Sequence, residues 1–335
     1  MKSPINGQEM TLQREERTLT FRKEDFPVQY HYYQCEASGE QFTSTELDEL
    51  NLQQLYNQYR DRHNLPFPED IRRIRETYGL SAVKMSEVLG FGVNGYRNYE
   101  QGEVPSQSNG KLIQLVHDPR QFRALVNISD ALKAETKDKL LRKIDYLMEE
   151  QERPRLSFDV EDYLLNKSLP NEYTGYRTPN LARLTEMVVF FTEQLQPWKT
   201  QMNKLLFYAD FLQFQRTCFS ISGARYRAIQ MGPVPNNYSS LFEYMANCDA
   251  IDLHATTFSA GIGEQFKPRP DRPFSTELLD DAEVQVLNEV AERFRTTNTA
   301  KIIEISHQEQ AWIENEAKRG LISYQWAFTV DSRVQ

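Results

Sequence analysis

The spacing of apolar and polar positions changes several times along this chain. Up to about residue 45, "RTLTFRKEDFPVQYHYYQC" is rich in Thr, Phe, Val and Tyr, which predicts short strands. Residues 46–64 switch to helical spacing, with Leu47, Leu50, Leu55 and Tyr59 recurring. Four short helical stretches follow between 66 and 126. "PEDIRRIRETYG" opens on Pro68 and Glu69 and stops at Gly79; "SAVKMSEVLG" runs from a Ser81 N-cap to Gly90. "VNGYRNYEQG" closes at Gly102, and "SNGKLIQLVHDP" is ended by Pro119. Short helices with a three- or four-residue turn between two of them are helix-turn-helix grammar. Val83, Val88, Leu89 and Val93 sit there at core-like spacing. Residues 129–152 form a longer amphipathic helix marked by Leu132, Leu140, Ile144, Leu147 and Met148. It either packs on its own domain or forms a dimer seam or connector. Residues 153–180 turn to Pro, Asn, Gly and Tyr and read as a linker or an ordered lead-in.

The C-terminal half reads as a second globular unit. "LTEMVVFFTEQL" and "KTQMNKLLFYADFLQFQRT" are helical, the second with Leu205, Leu206, Ala209 and Leu212 on one side. "ARYRAIQ" reads as a strand, and "MGPVPNNYSSLFEYM" as a tight Gly-Pro turn followed by a helix. "STELLDDAEVQVLNEVAERF" and "TAKIIEISHQEQAWIENEA" each read as one further helix. The expected fold is therefore mainly α, with four parts. These are a β-rich ribbon-like module with its following helix (1–64), a helix-turn-helix domain (65–128), an amphipathic helix and linker (129–180), and a mostly helical domain with a short β element (181–335).

Composition narrows the class. The 335 residues suit two or three domains. A hydrophobic fraction of 39% and a charged fraction of 26% are those of a soluble globular chain. No apolar run is long enough to span a bilayer and no signal-peptide pattern opens the chain, so the expectation is a cytoplasmic protein. The three cysteines are isolated and odd in number, which argues against a disulfide framework; Cys218 and Cys248 read as small core residues. A net charge of −9 argues against a protein coated in nucleic acid, yet leaves room for one basic face. Between 66 and 126, eight Lys/Arg stand against seven Asp/Glu, so this region is basic relative to the rest.

Candidate chemistry follows from these placements. In a helix-turn-helix the second helix enters the major groove, and "VNGYRNYEQG" presents Asn94, Tyr96, Arg97 and Asn98 there. Asn pairs bidentately with adenine and Arg with guanine. Lys84 and the Arg72, Arg73, Arg75 group are placed to meet phosphates. So small a domain normally doubles its affinity by dimerising, so a homodimer on palindromic operator DNA is expected. Near the N-terminus, "SPINGQ" and "CEASGE" have the frame of two zinc half-sites with Ser3, Asn6, Cys35 and Ser38 in the ligand positions. Structural zinc wants about four thiolate or imidazole ligands, so no metal is expected. Packing of Phe21, Phe26, Tyr30, Tyr32 and Tyr33 would then hold the module together. His307 with Glu309 hints only faintly at acid–base chemistry. With no Ser-His-Asp grammar, phosphate-cradling Gly loop or paired metal ligands, neither an enzyme nor a cofactor is expected.

Two resemblances add to this reading. "LSAVKMSEVLGFGVNGYRNYEQGEVPS" and the ribbon frame before it resemble MqsA-type antitoxins over residues 1–126. That resemblance implies an antitoxin that represses its own operon, with base-reading positions matching Asn94 and Asn98. That family often has Arg at the position of Asn98, and of the zinc ligands only Cys35 survives here. "NKLLFYADF" (203–211), "ARYRAIQMGPVPNNY" (224–238) and "SHQEQAW" (306–312) resemble the Panacea, or SocA-like, antitoxin domain over about 180–328. It implies a mostly helical domain that neutralises a cognate toxin protein by binding it, with a role in phage defence by analogy. The toxin-binding candidates are Lys204, Tyr208, Arg225, Tyr226, Arg227, Gly232 and Pro233; Tyr and Arg favour interface hot spots, but they also close folds. Two other functions stay open: a transcription regulator whose C-terminal domain senses a ligand or protein, and a protease adaptor that delivers the toxin.

Overall fold

The computed structural model describes residues 1–152, 160–166, 168–258 and 261–330. It divides into two compact units, Met1–Phe158 and Asp159–Gln335. Of the stretch expected as linker, 153–159 and 167 lie outside the described residues.

The N-terminal unit opens with an antiparallel sheet of β1 (Thr11–Phe21), β2 (Glu24–Gln34) and β3 (Gln41–Phe42), in the order β1-β2-β3. The two-residue turn Arg22-Lys23 has φ of 50° and 69°, the twist that tight hairpins favour. The Arg22 guanidinium anchors this turn on the carbonyls of Val104 and Pro105, both at 2.8 Å. Because β3 is so short, most of β2's second edge has no strand beside it. Helix α1 (Thr45–Arg62) fills the gap with side-chain amides. Asn51 bonds the N–H and C=O of His31 at 2.8 and 2.9 Å, and Gln54 does the same for Gln29 at 2.9 Å each. Phe26 and Val28 of β2 pack with Leu55 and Tyr59 of α1, and each such buried side chain is worth roughly 1.5–3 kcal/mol.

Five helices follow: α2 (Pro68–Thr77), α3 (Ala82–Leu89), α4 (Gly95–Glu100), α5 (Gln107–Leu115) and α6 (Pro119–Ile128). The helix expected to end at Pro119 stops at Leu115, and a further helix begins at that proline. Pro119 is the first residue of α6, where proline's missing N–H is harmless and Asp118 caps the turn. The amphipathic α7 (Ala134–Glu152) places Leu140 and Ile144 in the same core as Ile71, Met85, Tyr96 and Phe122. Its apolar stripe is thus covered within its own unit, which agrees with the first of its two readings. Val93 is 66% exposed and not core, because it lies in the turn before α4.

The C-terminal unit is built around one helix. Its elements are α8 (Val160–Leu165), α9 (Leu181–Leu195), α10 (Lys199–Thr217), β4 (Tyr226–Ile229), β5 (Gly232–Pro235), α11 (Tyr238–Asn247), β6 (Asp252–Phe258), β7 (Gly261–Lys267), α12 (Asp281–Phe294), α13 (Thr299–His307), α14 (Gln310–Glu316), β8 (Leu321–Ile322) and a 3₁₀ turn (Tyr324–Thr329). Every residue of α10 from Met202 to Gln215 is buried. Apolar residues on all sides explain the burial, whereas the sequence spacing points to one apolar face. The mainly helical expectation holds, with small sheets added: β5-β4-β8 and the β6–β7 hairpin.

Three local readings change. Gly232–Pro235 is an edge strand rather than a turn, and the edge tolerates its two prolines because they need donate no ladder bond. The stretch 299–317 is two helices, with Gln308 ending α13 and Glu309 in the N-cap position of α14. Cys218 is a core residue, whereas Cys248 is exposed at the end of α11.

Candidate functional site

In the C-terminal unit, a cleft of about 610 Å³ opens where the β6–β7 hairpin, the β4–β5 turn and the first turns of α10 and α13 meet. One wall depends on Trp198, which precedes α10. Its ring meets Phe258 edge-on at 5.2 Å, and the Phe266 N–H bonds the Pro197 carbonyl at 3.0 Å, so the hairpin is moored to the start of α10. Gly263 makes this possible, since a Cβ there would sit 2.9 Å from Phe258 and 3.2 Å from Trp198. The Lys199 ammonium pairs with the Glu264 carboxylate at 2.7 Å across the same wall. The rim is apolar: Met231, Phe258 and Ile262 are 47%, 49% and 74% exposed. Asn298, Thr299 and Ala300 at the N-terminus of α13 line a further side.

Asn203 and Lys204 form the floor, both buried. The Lys204 Nζ donates to the Pro233 carbonyl at 3.0 Å. Gly232, at φ 97°, lies directly over it, and a Cβ there would fall 2.7 Å from Lys204 Cε and 2.5 Å from Ser306 Oγ. Burial without a carboxylate partner pulls the ammonium down from 10.5 to about 7. The His307 ring, stacked on Trp312 at 4.0 Å, is lowered too, first by burial and then by the charge of Lys204. Glu309 accepts from the Tyr208 hydroxyl at 3.0 Å, so this carboxylate has a packing role.

Behind the floor, Asp210 is a fully buried hub. It accepts from Ile221 N, Ser222 N, Ser222 Oγ and Tyr226 Oη at 2.8, 2.9, 2.6 and 2.8 Å. Burial pushes its carboxyl up, against these four donors. The hub ties β4 and the loop before it to α10.

This arrangement corrects several of the sequence-based sites. Tyr208 and Tyr226 are buried hydrogen-bonding core residues, so neither offers a surface to a toxin. Gly232 and Pro233 are buried and act by holding Lys204. Arg225 and Arg227 are half-buried, and Arg227 spans Asn236 Oδ1 and the Arg319 carbonyl at 3.2 and 2.7 Å. Lys204 alone of the seven lines the cleft, and from beneath. Sequence reasoning missed Trp198, Met231, Phe258 and Ile262. The alternation on either side of Gly261 in "HATTFSAGIGEQF" was the available signal for the hairpin.

In the N-terminal unit, α3 and α4 meet at Ser86, whose buried Oγ accepts from Tyr96 N at 3.0 Å. Gly90 and Gly92 take φ of 73° and 77° in the turn between them. Asn94, Arg97 and Asn98 are exposed on the near end of α4. Tyr96 faces the other way: it is fully buried, its hydroxyl donates to the Ile71 carbonyl at 2.8 Å, and burial raises its phenol. It cannot read a base. Lys84 pairs with Glu87 at 2.6 Å and stays half-exposed. Arg75 is likewise a structural residue, clamped on Glu100 at 2.5 and 3.2 Å and on the Leu80 carbonyl at 2.9 Å, while Arg73 pairs with Asp70 at 2.6 Å.

Two turns of similar geometry stand at the expected half-site frames. Gly7 and Gly39 have φ of 71° and 72°, and their N–H groups bond back to the Ser3 and Cys35 carbonyls at 2.9 and 2.8 Å. Two matching knuckles thus bring Asn6 Nδ2 within 3.3 Å of Cys35 Sγ. Hydrogen bonds from Ser38 and then Asn6 pull the thiol from 9.0 to about 7. One thiol, one amide and two hydroxyls do not fit structural zinc, and hydrogen bonds link the knuckles across the place a metal would take.

Residues 202–313 match the family described as antitoxin SocA-like, Panacea domain. No curated protein matches the chain. The Panacea match starts within α10 and runs into α14, and so takes in Asn203, Lys204, the β4–β5 turn, the hairpin and the α13 side of the cleft. An antitoxin-type role is the one it supports. No helix among the described residues is long and apolar enough to cross a membrane.

Proposed function

We propose that this protein is an antitoxin with two roles on separate units. The C-terminal unit binds a cognate toxin at the cleft and neutralises it by direct contact. The N-terminal unit binds operator DNA through Asn94, Arg97 and Asn98, as a homodimer, and represses the operon. The observation that carries this reading is the coincidence of the Panacea match with an open cleft whose rim leaves Met231, Phe258 and Ile262 uncovered. Apolar side chains clustered around a cavity mark a protein interaction site. Support for the DNA half is the exposed polar end of α4, set on a buried core at Ser86 and Tyr96.

The test is co-expression with the small reading frame beside this gene. That frame should stop growth by itself, and full-length protein should restore it. Residues 159–335 alone should restore it too, and Ile262→Asp in the full chain should not. Rescue that needs the N-terminal unit, or that survives Ile262→Asp together with Phe258→Asp, would sink the assignment of neutralisation to the cleft. Persistence of the toxin in rescued cells separates occlusion from delivery to a protease.

A further inference from the structure

The cleft floor holds a buried ammonium that no carboxylate among the described residues neutralises, and two helices begin at its sides. α10, nineteen residues long, begins at the cleft with Trp198, Lys199 and Thr200, and α13 begins there with Asn298, Thr299 and Ala300. Each helix start carries the positive end of its dipole, and at α13 the Asn298 Oδ1 caps the turn by accepting from Lys301 N at 2.9 Å. Trp198, in the N-cap position of α10, has no side-chain oxygen to cap that turn, while its own N–H donates to Gln201 Oε1 at 3.0 Å. Between the two starts sits Lys204, with no exposed surface and one neutral carbonyl, that of Pro233, as its acceptor. Among the described residues no carboxylate pairs with it. The one carboxylate lining the cleft, Glu264, is already engaged by Lys199 at 2.7 Å. Beside Lys204, the buried Asn203 Oδ1 has no donor. A buried ammonium held only by a neutral carbonyl and a buried amide oxygen with no donor are costly arrangements that an incoming group can relieve.

We propose that the cleft receives a carboxylate carried on an apolar segment of the toxin, an acidic side chain or chain end. The Lys204 ammonium and the first turns of α10 and α13 draw in the carboxylate, while Trp198, Phe258 and Ile262 cover the apolar part. An amide N–H of the same segment supplies the donor that Asn203 Oδ1 lacks. This inference rests on the reading of the cleft as the toxin site and adds the chemistry by which it selects. The depressed ammonium fits it, since a bound carboxylate restores the charged form.

The probes are N-acetyl-phenylalanine and N-acetyl-phenylalaninamide, which differ only in the terminal charge, titrated against the full chain by ligand-observed NMR. The acid should bind roughly tenfold or more tightly than the amide, as expected for a charge-assisted hydrogen bond. Lys204→Met should erase that preference, and in co-expression it should weaken protection. Equal binding of acid and amide to the unaltered protein, or binding of neither, overturns the proposal without any variant. A preference that survives Lys204→Met overturns it as well. So does a preference that vanishes while protection is untouched, which would make the cleft a receptor for a small carboxylate. Failure of the parent reading looks different: Ile262→Asp with Phe258→Asp would leave protection intact whatever the probes do.

Discussion

Replacing Lys204 by methionine tests the electrostatics of the cleft floor directly. The folded ammonium titrates near 7 and the unfolded one at its ordinary 10.5. Between those values the unfolded chain holds a proton that the native chain lacks, so native stability rises with pH across the window. Below 7 both states are protonated, and the penalty is fully present and flat. At 1.36 kcal/mol per unit, burying the ammonium there costs about 5 kcal/mol relative to burying the neutral amine. Methionine has similar length and no charge, so it removes that cost. It also removes the donor at 3.0 Å from the Pro233 carbonyl, a loss of roughly 1–3 kcal/mol for a buried acceptor left unmatched. The variant should therefore be more stable than the parent at pH 6, by about 2–4 kcal/mol, and by pH 10 that gain should be gone, leaving it equal to the parent or less stable by up to about 2 kcal/mol. All three tryptophans, Trp198, Trp312 and Trp326, lie in the C-terminal unit, so urea unfolding followed by tryptophan fluorescence reads that unit alone. A difference between the two proteins that stays constant from pH 6 to 10 would refute the reasoning, because Lys204 and the shift its charge imposes on His307 are what distinguish their titration.

Three further outcomes are expected. Gly232→Ala should destabilise the C-terminal unit by several kcal/mol in the same assay, since a Cβ meets both Lys204 and Ser306 at a φ of 97° that alanine adopts poorly. Asp210→Ala should cost about 3–5 kcal/mol or prevent folding, because four buried donors lose their acceptor at once; near-neutral stability would show that water replaces the carboxylate. In the N-terminal unit, Arg97→Ala should weaken operator binding by about 1–3 kcal/mol in a gel-shift assay at fixed salt, whereas Tyr96→Phe should leave it unchanged and lower thermal stability by roughly 1 kcal/mol. The opposite pattern would return Tyr96 to the DNA-contacting surface.

What the chain discloses before folding follows the range of the forces involved. The boundaries of α10 are legible to the residue, since Trp-Lys-Thr follows a proline and the middle turns are rich in Leu and Phe. The positions of Asn94, Arg97 and Asn98 on one exposed face are legible too, because α4 is short and its spacing local. Tyr96 stands between them in sequence, and only its bond to Ile71, twenty-five residues away, shows it to be core. The same limit hides the second role of α1. Asn51 and Gln54 look like solvent-facing amides on a helix, and nothing local says that they complete the edge of β2. At the candidate site the error has one cause. Tyr, Arg and Gly-Pro chemistry points to a surface because those residue types are common at interfaces, yet Tyr208 and Tyr226 have buried carboxylate acceptors, Glu309 and Asp210, from distant or adjoining segments. Once these hydroxyls are spent inside, the proposed recognition falls to groups the fold leaves incompletely matched: the exposed apolar rim at Phe258 and Ile262, and the ammonium of Lys204 with only a neutral carbonyl as acceptor. A site of that kind is written in what the fold leaves unmatched, and a sequence read in local windows has no means of counting matches across a hundred residues.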